Sequence, residues 1–379
     1  MIRHISAFIK KEPMLVAAAA AACASLFLTP PSVSQLKAVD WRTLGVLFMM
    51  LTVLEGFKKE NVFAPVLRLA GRIRSGAGLA LFLVFGVFFS SMFVTNDVSL
   101  LIFCPLSILL LRDTPRERYL LPLLAMQNIA AVRGSLLTPF GSPQNLFIFS
   151  RSGVAAGRFI AYMFPIWILS AGLLAAFVLF VFRRELRPAE TAAPRELPGP
   201  AGDKRRGAVW ILLFAVVLFT VVSRTPYWPA AAALVLVTVL AVDRRLLLRT
   251  DYVLLGTFFC FFIFSSSVAG SPAAAAFLRT LTAGREYAVS ILVSQVISNV
   301  PAAIVLYPFA ENVGALLYGL DSAGLCTLIG SLASVINYRI YVRAYPGRGG
   351  RFIAVFTAVS LAFFALVAVP GYLLSRAGF

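Results

Sequence analysis

The 379-residue chain has one histidine, His4, at its amino terminus. A histidine proton relay, haem ligation and most zinc chemistry need imidazole inside the fold, so they are excluded. Cysteine is nearly as scarce. Cys23, Cys104, Cys260 and Cys326 lie singly in apolar stretches, without the paired spacing of a zinc site or a disulfide framework. Charge is thin, with 13% Asp, Glu, Lys and Arg against about a quarter in soluble proteins. No Walker loop, Ser-His-Asp set, haem motif or kinase signature is present. With no acidic pair at depth to serve as acid and base, the expectation is that the chain is not an enzyme.

Apolar sequence dominates instead. Hydrophobic residues make up 60% of the chain and the mean hydropathy is +0.89, which places it in the lipid bilayer. Runs such as 13–28, 159–182 and 352–374 suit helices crossing a core of about 30 Å, for which roughly 20 residues suffice. They lack the alternation of a membrane barrel. The net charge of +18 does not indicate a nucleic-acid partner, because the basic residues sit in short loops between apolar runs and form no stripe with interleaved aromatics. Residues 1–28 have the basic start and apolar run of a signal peptide, but the topology needs them as an uncleaved first span.

Spans are expected near 13–29, 41–57, 159–182, 208–224, 226–243, 251–268 and 352–375. Residues 78–111 and 286–318 are too short for two crossings and carry a polar cluster near the middle, so each reads as a re-entrant helical hairpin. Residues 118–150 and 322–343 each read as one crossing with a break, at 134–143 and around Gly330 and Ser331. The expected fold is therefore an all-α integral membrane protein of two inverted-topology repeats, 1–182 and 226–379. A cytoplasmic linker at 183–207, rich in Pro, Ala, Gly and charge, and a connecting helix at 208–224 join them. Most of the 34 basic residues then fall on one side, which the positive-inside rule assigns to the cytoplasm together with the amino terminus. The expected location is the cytoplasmic (inner) membrane.

The polar interruptions are duplicated. Thr95, Asn96 and Asp97 precede Thr138, Gly141, Ser142, Pro143 and Asn145 in the first half; Ser298 and Asn299 precede Thr327, Gly330, Ser331 and Ser334 in the second. Irregular backbone at membrane depth is tolerated only where it is buried in protein or lines a wet cavity. Half-helices starting there aim their amides inward and favour an anion, while freed carbonyls and side-chain oxygens can coordinate a small cation. The alternative is that these residues merely cap the outgoing helices, with Pro301 in a first turn.

Asp97 is expected at mid-membrane, where a carboxylate titrates, binds a cation, or pairs with Arg133. Arg133 is expected either to hold an oxyanion through its planar fork or to serve as a structural partner. Glu55, Glu311 and Asp321, nearer the ends of apolar runs, read as structural. Gln127 and Asn128 either line the cavity or satisfy local backbone.

Thr95, Asn96 and Asp97 with the VSLLIF that follows, GSLLTPFGSPQN at 134–145, SNVPAA at 298–303 and TLIGSLAS at 327–334 resemble the ion transporter superfamily that includes bacterial arsenite permeases, a class of sodium/proton antiporters, and citrate and dicarboxylate/sodium symporters. The resemblance covers most of 13–375. It implies a scaffold and a mobile transport domain moving by elevator-type alternation, and often a homodimer. It implies one ion site, for sodium, around Thr95, Asn96 and Gly141 to Asn145, and a second around Ser298, Asn299 and Gly330 to Ser334. Where sodium/dicarboxylate members carry Ser-Asn-Thr, this chain has Thr-Asn-Asp and Ser-Asn-Val, and Ser334 replaces an Asn. The expected function is secondary transport of a small anion or oxyanion, carboxylate or arsenite-like, coupled to sodium or protons. A sodium/proton antiporter using Asp97 is the alternative, with an intramembrane enzyme or a channel more distant.

Overall fold

The computed structural model describes residues 12–27, 29, 33–185 and 202–377. His4, the amino-terminal basic residues and positions 186–201 of the expected linker lie outside the described residues. Among the described residues the chain is all helix and connections, with no strand. A helix pairs every amide and carbonyl within one segment, and in hydrocarbon each unpaired group costs several kcal/mol.

The first half runs α1 (Pro13–Ser25), α2 (Val33–Ala38), α3 (Trp41–Lys59), α4 (Ala64–Ala70), α5 (Gly76–Val94), α6 (Asn96–Leu111), α7 (Leu120–Ser135), α8 (Pro143–Ser152) and α9 (Ala156–Val181). The second runs α10 (Lys204–Ser223), α11 (Trp228–Asp243), α12 (Tyr252–Gly270), α13 (Pro272–Thr282), α14 (Glu286–Ile297), α15 (Asn299–Leu306), α16 (Val313–Ala323), α17 (Leu332–Ala344) and α18 (Gly349–Ser375). By length and composition α5, α9, α10, α12 and α18 can each cross a membrane. Among the described residues of the expected first span at 13–29, the helix α1 takes up 13, about 20 Å at 1.5 Å per residue.

Polar residues flanking the apolar runs set the boundaries. Asp40 starts α3 by accepting the Thr43 amide (3.0 Å), and Lys58 and Lys59 close it, each charge matched to its end of the helix dipole. Asp251 starts α12 through the Leu254 amide (2.9 Å), and Ser75 starts α5 through Gly78 (2.9 Å). The helix leading into the second break begins at Val313 and not at 322. Asn312 Oδ1 accepts the Ala315 amide (2.8 Å) and Glu286 Oε1 accepts the amides of Glu311 and Asn312 (3.2 Å each). A turn is thereby fixed inside the expected 286–318 hairpin, in apolar sequence where Pro308, Glu311 and Asn312 are the turn signals.

Two groups of helices result. In one, α5, α6 and α7 pack together, α14, α15 and α16 do the same, and α6 lies on α17 as α15 lies on α8. Helix α9 closes on α7 and α18 on both α7 and α16. In the other group α3 gathers α10, α11 and α12, and α1 packs along α12. The groups meet where α12 packs on α15 and α3 on α8.

Candidate functional site

The two reversals share one geometry. Thr95, between α5 and α6, has φ 72° and ψ 156°; Ser298, between α14 and α15, has φ 70° and ψ 156°. Each next residue donates its amide to a glycine carbonyl in its own half's helix break: Asn96 to Gly141 and Asn299 to Gly330, both at 3.2 Å. Those breaks turn alike, with the amides of Gly141 and Gly330 donating to Thr138 and Thr327 (3.3 Å each). The close approach demands glycine. A Cβ on Gly141 would sit 2.1 Å from the Ser135 carbonyl oxygen, and one on Gly330 2.3 Å from that of Ala323.

Side chains brace the same frame. Thr138 Oγ1 donates to the Met92 carbonyl (2.5 Å), Asn145 Nδ2 to Leu136 (3.4 Å) and Asn299 Nδ2 to Leu320 (3.4 Å). Thr327, exposed, donates its hydroxyl to Gln295 (2.7 Å). Asn128 and Ser334 join the halves (3.1 Å), as do Asn337 Nδ2 and the Leu124 carbonyl (2.7 Å). Gln127 is taken up locally by Ser107 and the Leu83 carbonyl.

A cavity of about 600 Å³ lies between the two helix groups. Leu47, Met50, Leu54, Glu55 and Lys58 of α3 and Asp251, Leu254 and Thr257 at the start of α12 form one wall. Thr95, Asp97, Val98, Phe140, Ser142, Pro143, Leu146 and Ser298, with Leu332, Val335 and Ile336 of α17, form the other. Of the residues singled out from sequence, Glu55, Thr95, Asp97, Ser142, Pro143 and Ser298 therefore line it. Asn96, Thr138, Gly141, Asn145, Asn299, Gly330, Ser331 and Ser334 are buried behind that wall.

Capping does not account for the hydroxyls at these points. Thr95, Ser142, Ser298 and Ser331 precede α6, α8, α15 and α17, and none makes a side-chain cap bond. The first amides of α6 and α15, on Asn96 and Asn299, are taken by the glycine carbonyls, and Asn96 Oδ1 accepts the Asp97 amide (2.9 Å). The Oγ atoms of Ser142 and Ser298, Oδ1 of Asn145 and Oδ1 of Asp97 are buried with no hydrogen-bond partner in the protein.

Two expectations are corrected. Arg133 does not reach Asp97. It is fully buried, donates Nη2 to Ser322 (3.3 Å), and has Asp321, Tyr287 and Tyr318 as its electrostatic neighbours. Asp97 faces Asp251 and Lys58 across the cavity, and Lys58 is itself paired with Glu55 (2.5 Å). Asp321 is no end-of-run carboxylate. It is 1% exposed inside α16 and accepts Gln144 Nε2 (3.1 Å) from the opposite half. Sequence reading passed over Asp251 and Lys58 because a helix cap and a cytoplasmic lysine explain them locally.

A family model described as citrate transporter matches residues 6–325. The chain is 30% identical over 320 residues to the inner membrane protein YbiR of Escherichia coli, covering 80% of each. It is 28% identical over 303 residues to the uncharacterized transporter MJ0456 of Methanocaldococcus jannaschii, covering 80% of this chain and 81% of that one. Over 167 residues, 42% of this chain and 34% of its relative, it is 28% identical to the silicon efflux transporter LSI3 of rice, Oryza sativa. With the family model spanning most of its length, the chain belongs to the citrate transporter family and is a multi-pass membrane transporter, not an enzyme.

Proposed function

We propose that this transporter is a secondary carrier for a small anion or oxyanion, moved by elevator-type alternation and coupled to sodium or protons. The observation that carries the reading is the set of half-helix starts at Thr95, Ser142 and Ser298, whose hydroxyls make no cap bond and which converge on one cavity between two helix groups. Amides at such starts carry partial positive charge and bind anions. The family description, citrate transporter, makes a carboxylate the first cargo to test.

In this reading residues 1–182 and 226–379 are inverted repeats, 78–111 is a re-entrant hairpin, and its counterpart within 286–318 ends before α16. The repeated dihedrals at Thr95 and Ser298 and the matched glycine contacts support it. The polar-interrupted helices form the moving body and α3, α10, α11 and α12 the scaffold. The chain sits in the inner membrane, as YbiR is named to do, with its amino terminus in the cytoplasm and a homodimer as its assembly. Sodium is held near Asn96 and Ser142 and near Asn299 and Ser331, where the unpartnered oxygens of Ser142, Asn145 and Ser298 suit a hard cation.

Proteoliposome uptake of citrate, phosphate, arsenate and arsenite under imposed sodium or proton gradients tests the proposal. Gradient-driven accumulation of one of them is expected. The cavity carboxylates Asp97 and Asp251 favour a second reading, a sodium/proton antiporter. Sodium-for-proton exchange with none of these solutes present would select it.

A further inference from the structure

Lys58, near one end of α3, lines the cavity. The 19 residues of that helix span about 28 Å, and near its other end Arg42 enters a second, far smaller crevice. About 10 Å³ in volume, it is lined by Thr43, Val46, Leu146, Ser150 and Arg224 besides Arg42, room for one water. Leu146 of α8 lines both spaces. One side chain on the helix group that carries the reversals thus borders both.

The chemistry of the crevice is cationic and unbalanced. Arg42 and Arg224 lie within electrostatic range of each other. The neighbouring carboxylate, Asp40, is engaged by a third arginine, Arg151, at 3.2 Å. Arg224 donates Nη2 to the carbonyls of Phe149 and Val154 at the end of α8, and its guanidinium lies over the Phe149 ring at 4.0 Å. Its Nε, and the hydroxyl of the buried Thr43, have no partner in the protein. Basic residues are disfavoured on the non-cytoplasmic face, so guanidinium groups converging at the end of α3 opposite its lysines call for an acceptor.

We propose that this crevice is the closed second mouth of the transport path, and that Arg42, Arg224 and Thr43 form an anion-binding site there. A small carboxylate or oxyanion takes up Arg224 Nε and the Thr43 hydroxyl once α8 shifts and withdraws Leu146, with Arg42, whose Nη2 reaches the Thr220 carbonyl (3.5 Å), adding its charge. The identity of the cargo rests on the carrier reading above; the charge selectivity of the mouth does not.

Ser150→Cys in the full-length protein reports on the mouth. Membrane-impermeant methanethiosulfonates, anionic ethylsulfonate and cationic ethyltrimethylammonium, are applied from the Arg42 face, with the parent protein measuring background from native cysteines. The anionic reagent is expected to react about tenfold faster, as steering by local charge dictates. Adding Arg42→Gln is expected to shrink that preference to about twofold or less. Arg224→Gln should act likewise, and the Arg42 variant decides the matter where loss of the α8 contacts prevents folding. Equal rates for both reagents, no labelling by either, or a preference that survives Arg42→Gln would overturn the proposal. In the second arm, Arg42→Gln should raise the half-saturating citrate concentration on that face about tenfold, the loss of one charge-assisted contact. Anion-selective labelling without citrate uptake by the wild type would uphold the mouth and remove the carboxylate cargo.

Discussion

Thr95 and Ser298, in opposite halves of the chain, hold the same backbone conformation, φ 72° with ψ 156° and φ 70° with ψ 156°. That region is essentially reserved for glycine, and another residue held there costs about 1–3 kcal/mol. A β-branched threonine is the harder case. The surrounding contacts hold the strain in place: Asn96 and Asn299 are tied to Gly141 and Gly330 immediately downstream. The strain keeps the cavity-lining hydroxyls where α6 and α15 begin.

Glycine at the first reversal should separate strain from function. Thr95→Gly is expected to raise thermal stability by roughly 1 kcal/mol, the relieved strain less glycine's entropy in the unfolded chain, while uptake falls because the reversal loses its fixed conformation and its hydroxyl. Thr95→Ala keeps the strain and should not stabilise. Melting of both variants in detergent gives the comparison, and equal midpoints would mean that Thr95 stores no strain.

Gly141→Ala and Gly330→Ala should fail for a different reason. The new Cβ would meet a backbone carbonyl oxygen at 2.1 Å or 2.3 Å, and backbone cannot swing aside as a flexible side chain does. A loss of at least about 1–3 kcal/mol is expected from overpacking alone, with the amide bonds from Asn96 or Asn299 weakened besides. Alanine at Gly157, where a Cβ meets nothing within 4 Å, serves as the control. Wild-type melting and uptake in Gly141→Ala would show that the break is not held as described.

The polar clusters are legible in sequence because glycine, proline and hydroxyl residues stand out against apolar runs and recur in the same order. Thr95, Ser142, Pro143 and Ser298 accordingly reach the cavity. What stays hidden is partnership over distance. Asp321 sits among Gly319, Ser322 and Gly324 and reads as the watery end of a helix, yet its partner Gln144 is 177 residues away in the chain. Arg133 next to a break reads as an anion contact, because nothing local tells that α16 will bury it. Asp251 is explained so completely as the cap of α12 that its second face, toward Asp97, leaves no separate trace in the sequence.

Asp97→Asn should keep the fold and lose the coupling. Asp97 lines the cavity on the first turn of α6, its Oδ1 unpartnered, with Asp251 and Lys58 on the facing wall. Removing its charge leaves packing unchanged but takes away the group that a coupling cation or proton would neutralise. Uptake driven by a proton or sodium gradient is expected to fall about tenfold or more, the scale of one charged contact, with normal membrane insertion. Gradient-driven rates identical to wild type across pH would assign Asp97 to structure alone.

Arg133 and Asp321 should behave as a buried structural pair and not as substrate contacts. Neither lines the cavity, both are fully buried, and Arg133 Nε and Nη1 and Asp321 Oδ2 have no hydrogen-bond partner, so each charge, held besides by Ser322 or Gln144, is offset in part by the other's field. Removing one partner leaves an uncompensated charge in a dry interior, which costs about 3–5 kcal/mol. Arg133→Gln and Asp321→Asn should therefore each destabilise strongly, while the double variant loses much less than the sum of the two. Denaturation midpoints of the three proteins measure that coupling. The half-saturating anion concentration of whatever folded protein remains should stay near wild type. Additive losses, or a raised half-saturation with normal stability, would return Arg133 to the role of anion contact that its position beside the helix break suggests.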